Sequence, residues 1–269
     1  MTYPGTALYV PGDRPDRFGK AVASGATTVI LDLQDAVAQD RKTRARDAVI
    51  EWLASGAAEH VDVQVRVNHP ATEVGRADLG NLPSPVAIRL PRVASPSDVD
   101  AVLAAGHSTV HALIESAAGL EAAYAIASHP AVVSVGLGEA DLRADLGVHD
   151  EAGLAWARSR TVVAARAAGL PAPMMAAYPS IPDLDGLAKS CARGRALGMR
   201  GRTAIHPRQL PTIAAAFRPT NNEIAWAQEV LARLADCGVA VLDDGSMVDE
   251  AMAKQARELL RLTEAPPNN

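Results

Sequence analysis

The chain has 269 residues, a net charge of −5 and only 3% aromatic residues. Those values exclude the basic footprint of a nucleic-acid binder and the aromatic platform of a single-strand binder. At 48% apolar and 21% charged, the composition is that of a globular enzyme or scaffold, and the length suits one barrel of about 250 residues.

The elements follow in chain order. Residues 7–10 read as a short buried strand that stops at Pro11-Gly12-Asp13-Arg14-Pro15, a turn by its proline and glycine content. A helix over 15–23 carries Arg14, Arg17 and Lys20 at its start and along its face. The second strand, 27–33, leads into Gln34 and Asp35, and the second helix covers 41–54. The third strand, 61–68, delivers Arg66 and Asn68 near its end. A polar connection with one short helical stretch, 69–84, precedes the fourth strand at 86–91 and its helix at 96–104. Strands five and six are expected at 109–114 and 132–137, with helical spacing over 117–128 between them. A longer helix is expected at 151–168, and the seventh strand over 171–179 is weakened by prolines at both ends. A helix from Asp183 to about 197 leads to strand eight at 202–207, followed by a helix from Pro207.

Eight strands alternating with helices imply an α/β fold with a parallel sheet, and eight repeats point to a closed TIM (β/α)8 barrel. An open doubly wound sheet is the alternative. No glycine fingerprint follows the first strand, so a dinucleotide fold is not expected. Beyond the barrel come a helix at 221–235, a hairpin around Asp244-Gly245 and a helix at 250–262. The division is therefore a barrel over 1–217 and a C-terminal segment over 218–269, too small to fold alone. No run of roughly eighteen apolar residues predicts a membrane span, and the N-terminus shows no signal-peptide core, so a cytoplasmic protein without a membrane partner is expected. Cys191 and Cys237 are too few and too far apart for a disulfide framework or a zinc site.

The stretch 109–146 is the most informative. Two apolar runs each end in an acid, Glu115 and Asp141, with a helix between them. In a βαβ unit both acids reach the carboxyl ends of neighbouring strands. Two hard oxygen ligands there suit Mg²⁺, with water and substrate completing the shell. Capping of the helices that follow is the other ordinary role of such acids.

The chain also contains, in order, Leu8-Tyr-Val-Pro-Gly-Asp-Arg-Pro-Asp-Arg-Phe, Val29-Ile-Leu-Asp-Leu-Gln-Asp-Ala-Val, Val65-Arg-Val-Asn and Leu90-Pro-Arg-Val. Ala112-Leu-Ile-Glu-Ser-Ala, Gly136-Leu-Gly-Glu-Ala-Asp-Leu, Ala204-Ile-His-Pro-Arg-Gln and Asp244-Gly-Ser-Met-Val-Asp follow. This series resembles the citrate lyase β-subunit-like family of the HpcH/HpaI aldolase superfamily. The resemblance implies a TIM barrel with a C-terminal helical lid, a homotrimer or hexamer, and a lyase for 3-hydroxyacyl-CoA thioesters that uses Mg²⁺ (Mn²⁺ as an alternative). Coenzyme A would enter as part of the substrate, and a keto acid as the other product.

Carried over by motif, Glu115 and Asp141 would be the metal ligands and Arg66 the arginine facing the reacting oxygen. The backbone of Gly138, Glu139 and Ala140 would hold the keto-acid carboxylate. Arg14, Arg17 and Lys20 would meet the CoA phosphates, with a solvated helix face as the alternative. Asp32 and Asp35 would orient water on the metal, or cap a helix. Asp249 would be the lid acid that enters a neighbouring subunit's site, or the N-cap of the last helix. Departures fall at Gln34, where many relatives have Glu, at Ala94, and at Met175 and Ser180, where acids are common. They leave the choice of acyl-CoA open. The alternatives are the β-subunit of a citrate lyase complex acting on an acyl-carrier-bound citryl group, a CoA-independent class II aldolase for 2-keto-3-deoxy acids, and an inactive binder of CoA esters.

Overall fold

The computed structural model describes residues 5–57, 61–235 and 238–263, so Cys237 lies outside the described residues. By their contacts these residues form two compact units, Gly5–Ala216 and a second from Phe217 onward.

The first unit is built on seven parallel strands among the described residues: β1 (Gly5–Pro11), β2 (Thr28–Asp32), β3 (Asp62–Arg66), β4 (Ala87–Leu90), β5 (Val110–Ile114), β6 (Val132–Leu137) and β7 (Gly201–Ala204). Their order in the sheet is β6-β5-β4-β3-β2-β1-β7. β1 therefore pairs with both β2 and β7, which is the curl of a barrel wall. Strands covered on both faces read as continuous apolar runs, and Val29, Ile30 and Leu31 are fully buried.

Helices follow the strands: α1 (Phe18–Val22), α2 (Lys42–Ala54), α3 (Glu73–Asn81), α4 (Pro96–Ala104), α5 (Ala117–Glu121), α6 (Ala123–Ala127), α7 (Glu139–Leu146), α8 (Ala155–Ala167), α9 (Leu184–Ala196) and α10 (Leu210–Phe217). Their starts follow local rules. A capping box joins Ser95 and Asp98 at α4, and the Asp183 carboxylate accepts the Gly186 N–H at α9. The helical stretch expected over 117–128 breaks at Ala122 into α5 and α6.

This is the (β/α)8 order of a TIM barrel with seven of its strands laddered. The seventh predicted strand, 171–179, does not form a ladder. It contributes one parallel bridge, Met175 to Arg202. The Met175 N–H donates to Gly201 O at 2.9 Å, and the Thr203 N–H donates to Met175 O at 3.0 Å. Pro171, Pro173 and Pro179 have no N–H to give, so the segment stays extended beside β7 without a full set of rungs.

The second unit contains α11 (Asn221–Arg233), an antiparallel hairpin of β8 (Val239–Val241) and β9 (Met247–Asp249), and α12 (Glu250–Arg261). Gly245 turns the hairpin with φ +83°, a region that favours glycine. Ala227, Val230, Leu242, Val248 and Ala256 form its small core, with Trp226 and Met252 against them. Among the described residues no helix is long and apolar enough to cross a membrane.

Candidate active site

The carboxyl ends of β5 and β6 bring two acids to one place. Ile114 and Leu137 are ladder partners, and the Gly138 N–H donates to Ile114 O at 3.0 Å. Glu115 therefore emerges beside the first turn of α7, where Asp141 sits. Glu115 is buried, and its Oε2 accepts the Arg92 N–H at 2.9 Å. A Cβ at position 138 would overlap the Glu115 carboxylate, so only glycine lets that side chain lie against the start of α7.

Burial, with the Asp141 carboxylate as a second cause, pushes Glu115 up to about 7. Among the described residues no side-chain cation is ion-paired with either acid. Nor do three or more His, Cys, Asp or Glu side chains gather as a metal cluster there. Two adjacent, unneutralised carboxylates fit a hard divalent cation whose remaining ligands would be water and substrate oxygens. The first bond of α7 runs from the Leu142 N–H to Gly138 O at 3.0 Å. The N–H groups of Glu139, Ala140 and Asp141 are left without helical acceptors, as at any helix start.

Arg66 ends β3. Its Nε and Nη2 donate to the two Asp32 oxygens at 2.8 and 2.6 Å, and Nη1 lies 3.2 Å from Asp35. Its guanidinium sits over the Tyr9 ring, 4.8 Å from the centroid. Two acids and a ring face hold the fork in one orientation. The structure thus places Asp32 and Asp35 directly on Arg66. Asp32 also accepts the backbone N–H groups of Gln34 and Ala36, at 2.9 and 3.2 Å.

One cavity of about 400 Å³ collects these groups. Arg66, Glu115, Asp141, Asp32, Asp35 and residues 136–140 line it, together with residues 172–177.

Residues 6–207 match the family model described as HpcH/HpaI aldolase/citrate lyase. The chain belongs to the HpcH/HpaI aldolase/citrate lyase family. A relative in that family, (3S)-malyl-CoA thioesterase of Cereibacter sphaeroides, is 35% identical over 97% of this chain and 94% of its own length. The L-malyl-CoA/β-methylmalyl-CoA lyase of the same organism is 30% identical over 96% of this chain and 93% of its own. Among solved family structures, CitE from Mycobacterium tuberculosis in complex with magnesium, acetoacetate and coenzyme A is similar with a TM-score of 0.83. It is 31% identical, and the likeness covers 97% of this chain and 98% of that one.

The remaining positions of the family motifs and departures have the following surroundings. Arg14, Arg17 and Lys20 follow β1 on the surface and do not line the cavity, and Arg14 is paired with Asp16 at 2.8 Å. His206 Nδ1 accepts the Arg208 N–H at 3.1 Å, a local cap. Asp249 Oδ1 accepts the N–H groups of Ala251 and Met252 at 2.9 and 3.2 Å, so it is the N-cap of α12. Of the family departures, Gln34 is buried with no hydrogen bond to its Oε1, and the Ala94 N–H is taken by Asp98 at 2.9 Å. Met175 is fully buried, and its side chain fills the space a Cβ at Gly194 would need.

The sequence reading missed a buried ion-pair network behind the start of α7. Arg158, almost fully buried, grips both Glu139 oxygens at 2.8 Å and donates to Glu151 at 3.0 Å. Glu151 is held well below the usual carboxylate range, to about 2, by Ser190, Arg193 and Arg158 against the cost of burial. Ser190 in turn accepts from Arg202 at 2.9 Å. The network fixes the Glu139 side chain, and with it the first turn of α7. The signal was available: Arg158 sits within the α8 run Ala155-Trp-Ala-Arg-Ser, at helical spacing with Leu154 and Thr161 on its buried face.

Proposed function

We propose that this chain is a magnesium-dependent carbon–carbon lyase that cleaves, or in reverse forms, a 3-hydroxyacyl-CoA thioester such as malyl-, citramalyl- or citryl-CoA. The observation that carries the reading is the Glu115–Asp141 pair at adjacent strand ends, facing the same cavity as a fixed Arg66. The similarity to the L-malyl-CoA/β-methylmalyl-CoA lyase and to CitE in complex with magnesium and coenzyme A supports it.

In cleavage the β-hydroxyl gives up its proton and becomes a carbonyl. The bond between that carbon and the α-carbon breaks, and the electron pair passes to the acyl-CoA as an enolate, which takes a proton to give the free thioester. Glu115 and Asp141 would hold the magnesium ion, which supplies Lewis-acid stabilisation of oxygen charge when bound. Arg66 places a fixed positive charge where the alkoxide forms. The unpaired N–H groups at the start of α7 would hold the carboxylate of the departing acid. Asp32 and Asp35 set the Arg66 fork. Arg14, Arg17 and Lys20 are proposed to meet the CoA phosphates.

In the same proposal residues 218–269 act as a lid in a cytoplasmic homotrimer or hexamer. Asp249 enters a neighbouring chain's site and moves the proton of the acyl-CoA methyl group.

A second reading is hydrolysis of the thioester, favoured by the 35% identity to a malyl-CoA thioesterase. One assay separates them. Purified protein with Mg²⁺ is given malyl-, citramalyl- and citryl-CoA, with phenylhydrazine to trap keto acid and a thiol reagent to detect free CoA. Keto acid without free thiol is the lyase outcome. Free thiol without keto acid is hydrolysis. Turnover only when acyl carrier protein and partner subunits are added would instead mark a citrate lyase subunit.

A further inference from the structure

The barrel interior holds a second arginine that the proposed reaction does not use. Asp32, Arg66, Arg89, His111 and Ser134 are successive ladder partners across β2 to β6, so their side chains project from one face of the sheet. Asp32, Arg66, Arg89 and Ser134 line the cavity, which makes that face the inward one. TIM-barrel interiors are ordinarily filled by branched apolar side chains, so a row this polar calls for a physical reason.

The two arginines are treated differently. Arg66 has two carboxylates on it. Arg89 is 94% buried, and among the described residues no carboxylate lies within ion-pair distance of it. Its Nε and Nη2 both donate to the neutral Gln64 Oε1, at 3.0 and 2.7 Å. Asp62 accepts from Gln64 Nε2 at 3.2 Å, and its charge is felt at Arg89 without forming an ion pair with it.

The other neighbours bring no negative charge. His111 is held down to about 3 by burial and by the Arg89 charge, and its Nδ1 shares a hydrogen bond of 2.7 Å with Ser134 Oγ. The Tyr9 hydroxyl reaches Arg89 from β1. An arginine cannot shed its proton to escape such a place. A buried cation without a counter-ion is costly, and here it opens on the cavity that also contains the two acids of the proposed metal site.

We propose that Arg89 receives a second carboxylate on the carbonyl-acid half of the substrate, so that the enzyme selects a 2-oxo dicarboxylate over a 2-oxo monocarboxylate. This rests on the lyase reading above. One end of the acid meets the start of α7 and the Glu115–Asp141 pair. The other end enters the floor and completes the ion pair that Arg89 lacks. The planar fork, with two of its donors already fixed on Gln64, is oriented in advance for a carboxylate.

Calorimetry on the full chain in saturating Mg²⁺ tests this, with freshly prepared oxaloacetate and with pyruvate as probes, which differ by one carboxylate. The wild type should favour oxaloacetate by roughly tenfold or more, the scale of one charge-assisted hydrogen bond. Arg89→Gln should lose that preference while leaving pyruvate affinity within about twofold, and Arg89→Lys, which keeps the charge without the fork, should fall between. Melting curves check that the variants fold, and Arg89→Lys decides the question if Arg89→Gln does not. An unchanged preference in a folded variant would overturn the role of Arg89, as would an equal loss of both acids. Failure of both acids to bind the wild type in a Mg²⁺-dependent way would remove the lyase reading itself.

Discussion

Replacing Glu115 by Gln tests the proposed metal pair through stability, without any substrate. Burial and the Asp141 carboxylate raise Glu115 from 4.5 to about 7, a difference worth roughly 3 kcal/mol between its two protonation states. The folded chain therefore keeps a proton that the unfolded chain has already released between those two values. Stability falls as pH rises through that window, and the loss is complete above about pH 7. Glutamine does not titrate, and its carbonyl can still accept the Arg92 N–H. Urea melts in a chelator should show the two proteins alike near pH 4.5 and the variant more stable at pH 8, by up to about 3 kcal/mol. Added Mg²⁺ should close most of that gap. The wild type gains about 2.7 kcal/mol at a hundredfold excess over its dissociation constant, and the variant gains little. The reasoning fails if the variant is no more stable than the wild type at pH 8 in chelator. It fails equally if Mg²⁺ stabilises both to the same extent.

Arg66→Lys should lower kcat/KM about a hundredfold or more, or about 3 kcal/mol, because an ammonium cannot hold Asp32 and the developing oxyanion in one plane. A rate within about threefold of wild type would remove that role. Arg158→Met leaves the Glu139 carboxylate buried without its partner and should cost about 3–5 kcal/mol in urea melts, most of which the double variant with Glu139→Leu should recover. Asp249→Asn preserves the cap of α12, since Asn and Asp cap equally well, so any activity it loses belongs to the acid and not to the helix. Mixing Arg66→Ala chains with Asp249→Asn chains should restore turnover that neither shows alone. No rescue after demonstrated subunit exchange would place Asp249 outside a neighbour's site.

What the sequence disclosed depended on how far each group acts along the chain. The strand–helix alternation, the hairpin at Gly245 and the helix start at Asp183 come from residues within a few positions of one another and match the sequence reading, which left Asp249 open between a lid acid and an N-cap. The 171–179 stretch has strand length, but its prolines supply too few donors, so composition located it and hydrogen bonding withheld the ladder. The nearness of Glu115 and Asp141 was legible because Glu115 directly follows β5, Asp141 sits in the first turn after β6, and the two strands are consecutive. The attachment of Asp32 to Arg66 was not, because it needs the exact register of β2 against β3, which periodicity does not set. Arg158 and Glu139 lie 19 positions apart and meet only once α8 has packed beside β6.

Arg89 shows the signal that was available and went unused. The buried strands of a parallel sheet favour apolar residues on both faces. Yet Gln64, Arg89 and His111 interrupt three successive strands at positions that become ladder partners or their close neighbours. One polar residue in such a strand is an exception that a hydrogen bond can absorb. A row of them, with one permanent charge and no acid beside it, is better explained by a ligand that supplies what the chain omits. The same comparison separates the two arginines. Arg66 brings its own carboxylates and is free to respond to charge that develops and disappears during a reaction. Arg89 has none, so its counter-charge must arrive with the substrate and remain through turnover, which makes it a group for selecting the acid rather than for transforming it.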